Sequence, residues 1–226
     1  MSGAARFDLH VHSAYSSDSR VPIEAIVGRL AFQGLRGFAL TDHNTVRGHP
    51  ELAALQAKYP AYLFLPAVEV SAAEGHLLAY GVREAPPAHR GVAETIDWVR
   101  AHGGESVLAH PFRFTHGVGR RVCESTPAAA IEGRNGHNAE IANLRAEDVA
   151  ARRNLATTGG SDAHTLADLG RAFTNFDPAV ASVDDLLEAI RTGRTAGDGR
   201  SMALGGRVRL GLRSGLLRIG RGFRSV

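Results

Sequence analysis

Short apolar runs of strand length alternate with stretches whose apolar residues recur at helical spacing, from the start of the chain to about residue 197. Strands are predicted over 7–12, 37–41 and 63–70, with a Ser-rich loop at 13–19. Pro22 opens a helix to residue 33 that sets Ile23, Ile26, Val27 and Leu30 on one face, and Gly34 closes it. A second helix is predicted over 50–58. Glu74-Gly75 has turn chemistry, so 76–82 reads as a strand returning beside 63–70. Beyond Pro86-Pro87 the pattern gives a helix at 92–102 and a strand at 106–109. An irregular loop follows at 112–127, and short strands at 129–132, 155–158 and 172–176. A helix spans 139–153, Ser182 with Asp185 resembles a capping box opening 183–191, and 195–197 is a last strand. Strand–helix alternation of this kind is the mark of a parallel α/β sheet. About seven such units approach the eight of a full barrel.

Composition narrows the setting. The chain has 226 residues, 44% hydrophobic and 22% charged, enough for one domain with a full core. No apolar run approaches the roughly 20 residues of a membrane helix, and residues 1–6 lead straight into a strand, so neither a membrane span nor an export signal is expected. A single cysteine, Cys123, excludes an internal disulfide and suits a reducing cytoplasm. Residues 201–226 carry six arginines and no acid; removing them from the net charge of +3 leaves the preceding body at −3. That body, residues 1–200, is read as one domain, and the basic tail as a separate segment suited to an anionic partner.

Candidate chemistry lies in four blocks: Asp8-Leu9-His10-Val11-His12, Thr41-Asp42-His43-Asn44, Ala109-His110-Pro111 and Gly160-Ser161-Asp162-Ala163-His164. Each follows an apolar run, where parallel barrel strands deliver their C-terminal ends to one face. His10 and His12, two apart on a strand, project to the same side, and Asp162 with His164 repeat that spacing. Glu69 stands alone in an apolar strand, where an unpaired carboxylate carries a large desolvation penalty, so it is read as bridging cations. His76 returns to the same place after the turn. Nitrogen and oxygen donors without thiolates suit Zn²⁺, Mn²⁺ or Fe²⁺.

In order and spacing, Asp-Leu-His-Val-His-Ser, Leu-Thr-Asp-His-Asn-Thr, Leu-Ala-His-Pro and Gly-Gly-Ser-Asp-Ala-His resemble the motifs of the polymerase and histidinol phosphatase (PHP) superfamily. These are metal-dependent phosphoesterases on a distorted (β/α)₇ TIM-like barrel, with the metal site at the C-terminal ends of the strands. The resemblance covers residues 7–197. Ser17-Asp18 and the Glu69–His76 pair are most similar to the small stand-alone bacterial branch, which includes nucleoside 3′,5′-bisphosphate phosphatases and exonucleases of very short oligonucleotides. The resemblance implies two to three divalent ions held by His10, His12, Asp18, His43, Glu69, His76, His110, Asp162 and His164. It divides them into His10, His12, Glu69 and Asp162; Glu69, His76 and His110; and Asp18, His43 and His164. It also implies a metal-bridged hydroxide that attacks the phosphorus of a small phosphorylated substrate, a nucleotide or short oligonucleotide.

Arg113, then Arg134 and Arg20, are the arginines expected to hold the phosphate. Asp8 and Asp42 are expected to orient imidazoles. His49, His89, His102 and His137 are expected in solvent, with His116 a candidate proton donor. Gly159-Gly160 reads as a tight turn aiming Asp162. Three alternatives remain within the same chemistry: a 5′-3′ exonuclease on short oligonucleotides, a histidinol phosphatase, and a non-catalytic metal- or phosphate-binding module. A metal-dependent amidohydrolase also begins with His-x-His. Many of those bridge their metals with a carboxylated lysine, and the one lysine here, Lys58, lies in a helix before Tyr59-Pro60, away from the strand ends.

Overall fold

A computed structural model describes residues 4–202, so the basic tail beyond Met202, with all six of its arginines, lies outside the described residues. The elements run β1 (Ala5–Val11), α1 (Ile23–Gln33), β2 (Gly37–Leu40), α2 (His49–Lys58), β3 (Leu63–Ser71), β4 (His76–Tyr80) and α3 (Val92–Ala101). They continue with β5 (Glu105–Leu108), α4 (Gly119–Ser125), β6 (Ala130–Asn135), α5 (Glu140–Arg152), β7 (Ala156–Gly160), β8 (Ala172–Phe176), α6 (Val183–Arg191) and β9 (Ala196–Gly199). Local chemistry agrees with the sequence at several ends. Gly34 adopts the left-handed conformation (φ 64°) that ends α1, and the Ser182–Asp185 capping box opens α6. The segment expected as irregular at 112–127 contains α4, whose Cys123 is buried against the helical layer.

Among the described residues, one sheet of nine strands has the order β7-β6-β5-β4-β3-β2-β1-β8-β9. β1, β2 and β3 pair in parallel, as do β5, β6 and β7, while β4 pairs antiparallel with both its neighbours. β8 is antiparallel to β1 and β9, so β4 and β8 run against the other seven strands. The expected (β/α)₇ pattern is thus modified: nine strands, not seven, because a β3–β4 hairpin and the β8 return strand replace helical crossovers. The sheet curls until its ends meet, with Thr195 Oγ1 donating to Thr157 O (3.0 Å) and Gly197 N donating to Thr157 Oγ1 (3.1 Å).

The interior is packed by Phe7, Leu9, Leu65, Ala67, Leu78, Tyr80 and Val107, joined by Leu186, Ala189 and Ile190 of α6. Leu187 abuts Gly81 and Arg191 approaches Glu105, both at the strand ends opposite the histidine blocks, so α6 closes the base of the barrel. The other end is left to polar side chains. No helix among the described residues is long and apolar enough to cross a membrane.

Candidate metal centre

The strand that supplies the first two histidines is irregular, and the irregularity aims them. Phe7 and Leu9 belong to the inner core, whereas Val11 packs in the outer cluster with Ile23 and Phe38. The β1–β2 register shifts between Asp8 and Val11. A regular strand sends neighbours to opposite faces, so without this bulge Leu9 and His10 could not both point inward. Asp8 secures the bulge by accepting from the backbone N–H groups of His10 (3.3 Å), Ser161 (2.8 Å) and Gly170 (2.8 Å). Burial pushes its carboxyl up to about 6. Tyr80 donates its hydroxyl to Leu9 O at 2.9 Å. Asp42 accepts from Ser13 N and Ser13 Oγ, both at 2.7 Å. Asp8 and Asp42 therefore fix backbone rather than orient imidazoles, a correction to the expectation.

At the mouth, His10 Nε2 and His12 Nε2 each lie 3.1 Å from Glu69 Oε2, and 3.6 and 3.3 Å from Asp162 Oδ1. All four residues are buried, and neither Nε2 atom has a hydrogen-bond partner. His10 Nδ1 sits 2.9 Å from Glu132 Oε1, an acceptor for the Nδ1 proton, so Nε2 would be the nitrogen that ligates when an ion is bound. Two imidazole nitrogens and two carboxylate oxygens face one buried point. That donor set fits a divalent transition ion, which removes their mutual repulsion and satisfies the orphaned nitrogens.

Glu69 Oε1 meets His76 Nδ1 (2.7 Å) and His110 Nε2 (2.9 Å). Asp18 Oδ2 meets His43 Nε2 (3.2 Å) and His164 Nε2 (3.0 Å), and His164 Nδ1 is held by Asp162 O at 2.8 Å. All nine residues implied as ligands thus meet in one connected cluster. Its groups overlap, since His12 joins the Asp18 group and His43 reaches Glu69 Oε2 at 3.3 Å. Burial works to raise the Glu69 and Asp162 carboxyls. For Glu69 the histidines His10, His43 and His76 outweigh it, and for Asp162 the Arg113 guanidinium and His10 do, holding both well below the carboxylate range. Burial, aided by Arg113, lowers His110 to about 3, leaving it neutral with a lone pair to give. His110 (φ 27°) and Asp162 (φ 56°) both adopt left-handed backbone, rare for residues other than glycine and concentrated at functional sites.

The three arginines part company. Arg113 donates to Asp162 Oδ2 and Asn135 Oδ1 (2.7 Å) through Nη2, and to Asn138 Oδ1 (3.1 Å) through Nε, so it borders the cluster. Arg134 is instead paired with Glu140 and Glu147 of α5, and Arg20 is exposed in the loop after β1. His89 and His102 are exposed as expected, but His49 is half-buried with Nε2 3.0 Å from Ala67 O, and His137 is buried. His116 is exposed and its ring stacks on His76 at 4.6 Å. Gly159-Gly160 belongs to β7 rather than to a turn; a Cβ on Gly160 would lie 2.3 Å from His10 Cβ. Glu132 went unmarked in the sequence although it holds His10 and accepts from His110 N at 2.7 Å. Its signal, a lone carboxylate ending an apolar strand, is the one that singled out Glu69.

Residues 8–102 match the PHP domain family and residues 140–195 the PHP-associated family. The chain thus carries a PHP domain and a PHP-associated segment. Within PHP proteins, it is 38% identical over 88 residues to a 3′,5′-nucleoside bisphosphate phosphatase of Chromobacterium violaceum, an alignment covering 37% of this chain and 30% of that one. Its fold is similar to that of PsfC from Pseudomonas syringae (TM-score 0.68, 20% identity, covering 97% of this chain and 99% of that one). It is also similar to an amidohydrolase from Chromobacterium violaceum (TM-score 0.63, 20% identity, covering 82% and 97%). The PHP match accounts for His10 to His76, and the PHP-associated match for Asp162 and His164. His110, Arg113, Glu132 and His137 fall between the two matched segments.

Proposed function

We propose that this PHP protein is a metal-dependent phosphoesterase that hydrolyses a phosphate monoester of a nucleotide or another small phosphorylated metabolite. The observation that carries this reading is the convergence of His10 and His12 Nε2 with Glu69 Oε2 and Asp162 Oδ1 on one buried point. His10, His12, Glu69 and Asp162 would hold one divalent ion, Glu69 with His76 and His110 a second, and Asp18, His43 and His164 a third. Such ions, when bound, supply positive charge for phosphate oxygens and a water whose pKa falls to about 7. Glu69 offers one carboxylate oxygen to each of two donor groups and so fixes their spacing. The carboxylates of Asp18, Glu69 and Asp162 balance only part of the charge of the ions, leaving a mouth that favours a dianionic phosphate over a neutral amide. Arg113, one quarter exposed and clamped by Asn135, Asn138 and Asp162 beside the cluster, would meet that phosphate. The likeness to a nucleoside bisphosphate phosphatase supports a nucleotide as the substrate.

A phosphate-release screen of metal-loaded protein tests the reading. Its arms are nucleoside monophosphates, 3′,5′-bisphosphates, histidinol phosphate and a ten-residue oligonucleotide. Turnover is expected on the bisphosphates first. Glu69→Gln, with circular dichroism unchanged, should lose at least about 100-fold in rate, in the range seen when a charge-stabilising group is removed. A folded Glu69→Gln variant with undiminished activity removes the proposal.

A further inference from the structure

His137 lies in the turn after β6, Asn135-Gly136-His137-Asn138, between the two family matches and outside the nine-residue ligand set. The turn fixes it firmly. His137 N donates to Asn135 Oδ1 at 2.9 Å and Asn138 N donates to Asn135 O at 3.2 Å. Its side chain is only 1% exposed, yet among the described residues neither Nδ1 nor Nε2 has a hydrogen-bond partner. Leaving a buried polar atom unpaired forfeits its hydration without return, so a ring with both nitrogens lacking a hydrogen bond calls for a ligand.

The surroundings name that ligand. The His137 ring lies over that of His164, with centroids 5.6 Å apart and planes at 27°. One of its nitrogens lies within 4.8 Å of donor atoms of both Asp162 and His164. On its Nε2 side stands Asp168, with Oδ2 at 3.7 Å, too long for a hydrogen bond. Asp168 is itself held in place by Thr165 Oγ1 (2.7 Å) and Arg171 Nη2 (3.1 Å).

We propose that His137 is a tenth donor to the cation cluster, coordinating beside Asp162 and His164, with Asp168 accepting its remaining N–H. A neutral imidazole has one lone pair and one N–H. A Zn²⁺, Mn²⁺ or Fe²⁺ ion takes the first and the carboxylate takes the second, so both orphaned nitrogens are satisfied at once. The ion affected is the one His164 holds, whose other carboxylate partner is Asp18. This inference rests on the metal-dependent reading of the site.

Metal uptake tests it independently of activity. Wild type, His137→Gln and Asp168→Asn are stripped of metal and titrated with Zn²⁺ and Mn²⁺ against a competing chelator, with elemental analysis of the bound ions. One bound ion should bind at least about 10-fold more weakly in both variants, with the others unchanged. In wild type labelled with ¹⁵N-histidine, a ring nitrogen of His137 should shift on saturation with Zn²⁺. A folded His137→Gln variant with wild-type stoichiometry and affinity overturns the inference. So does a His137 ring whose nitrogens stay unmoved by Zn²⁺, a result that stands even if the variant fails to fold. Wild type that binds no divalent ion overturns the proposed function as well, whereas ions bound equally by wild type and variant overturn this inference alone.

Discussion

Gly160→Ala is the sharpest perturbation this architecture offers. The glycine sits at the end of β7 in ordinary strand conformation, so alanine meets no backbone objection. The new Cβ, however, would lie 2.3 Å from His10 Cβ and 2.6 Å from His10 N, about 1.1 Å inside the 3.4 Å of ordinary contact. Backbone, not a flexible side-chain tip, occupies that space, so β7 and the β1 bulge must separate. Overpacking of this kind costs about 1–3 kcal/mol, and the depth of the overlap puts it at the upper end. Stiffening of the unfolded chain by alanine returns about 0.4–1 kcal/mol. A net loss near 2 kcal/mol lowers Tm by about 4–8 °C in a domain of this size. The larger effect falls on chemistry, because His10 and Asp162 ride on the two strands being forced apart. A displacement of about 1 Å in a positioned group costs about 100-fold in rate. Thermal melts and chelator competition on the same preparation measure both quantities. If Gly160→Ala melts with wild type and binds ions equally well, the claim that β7 packs directly on the bulge is wrong.

Other expectations come from single contacts. Glu132→Gln leaves one carbonyl oxygen where the carboxylate offers one each to His10 Nδ1 and His110 N, and turns an NH2 donor on the other, so it should weaken ion binding about 10–100-fold in chelator competition; unchanged affinity contradicts the role given to Glu132. Burial raises the Cys123 thiol to about 11, so at pH 7.5 the thiolate is scarce and iodoacetamide should label native protein far more slowly than urea-unfolded protein. Equal labelling rates would show that Cys123 is not packed against the helical layer. Ser182→Ala deletes the capping box of α6 and should cost about 1 kcal/mol, seen as a Tm lowered by about 2–4 °C with ion affinity intact, because α6 closes the base rather than the mouth.

His10, His12, His43, His110, Asp162 and His164 were legible because their blocks follow apolar runs, and Glu69 because a carboxylate has no other reason to lie within one, whereas Asp18, in the Ser-rich loop, was marked by the family resemblance alone. The hairpin return to His76 was equally legible from Glu74-Gly75. What the pattern concealed lies at two bulges. Period-two alternation places Leu9 inward and His10 outward, and only the shift between Asp8 and Val11 brings both inward. A second shift, between Glu132 and Arg134, parts two residues that a regular strand would keep on one face. Glu132 turns to His10 and His110, while Arg134 goes to α5. Register irregularities depend on pairing partners far along the chain, which local composition does not encode. His137 was read as solvated for a similar reason: its turn is polar, but Asn135, Asn138 and Asn143 hydrogen-bond among themselves and carry it inward.

The reversed course of β4 bears on how this scaffold can diverge. Other donors lie near or past the far end of the strand that delivers them, so the connectors at the base, such as 34–36, 59–62 and 102–104, hold none of the nine. Those connectors can lengthen, accept an inserted module or supply new chain termini while the cluster stays whole. The turn at 72–75 has no such freedom, since His76 begins the next strand and a Cβ on Gly75 would lie 2.7 Å from His116 O. One residue added there would slide an imidazole out of register, making this short hairpin the segment where drift in length is least tolerated.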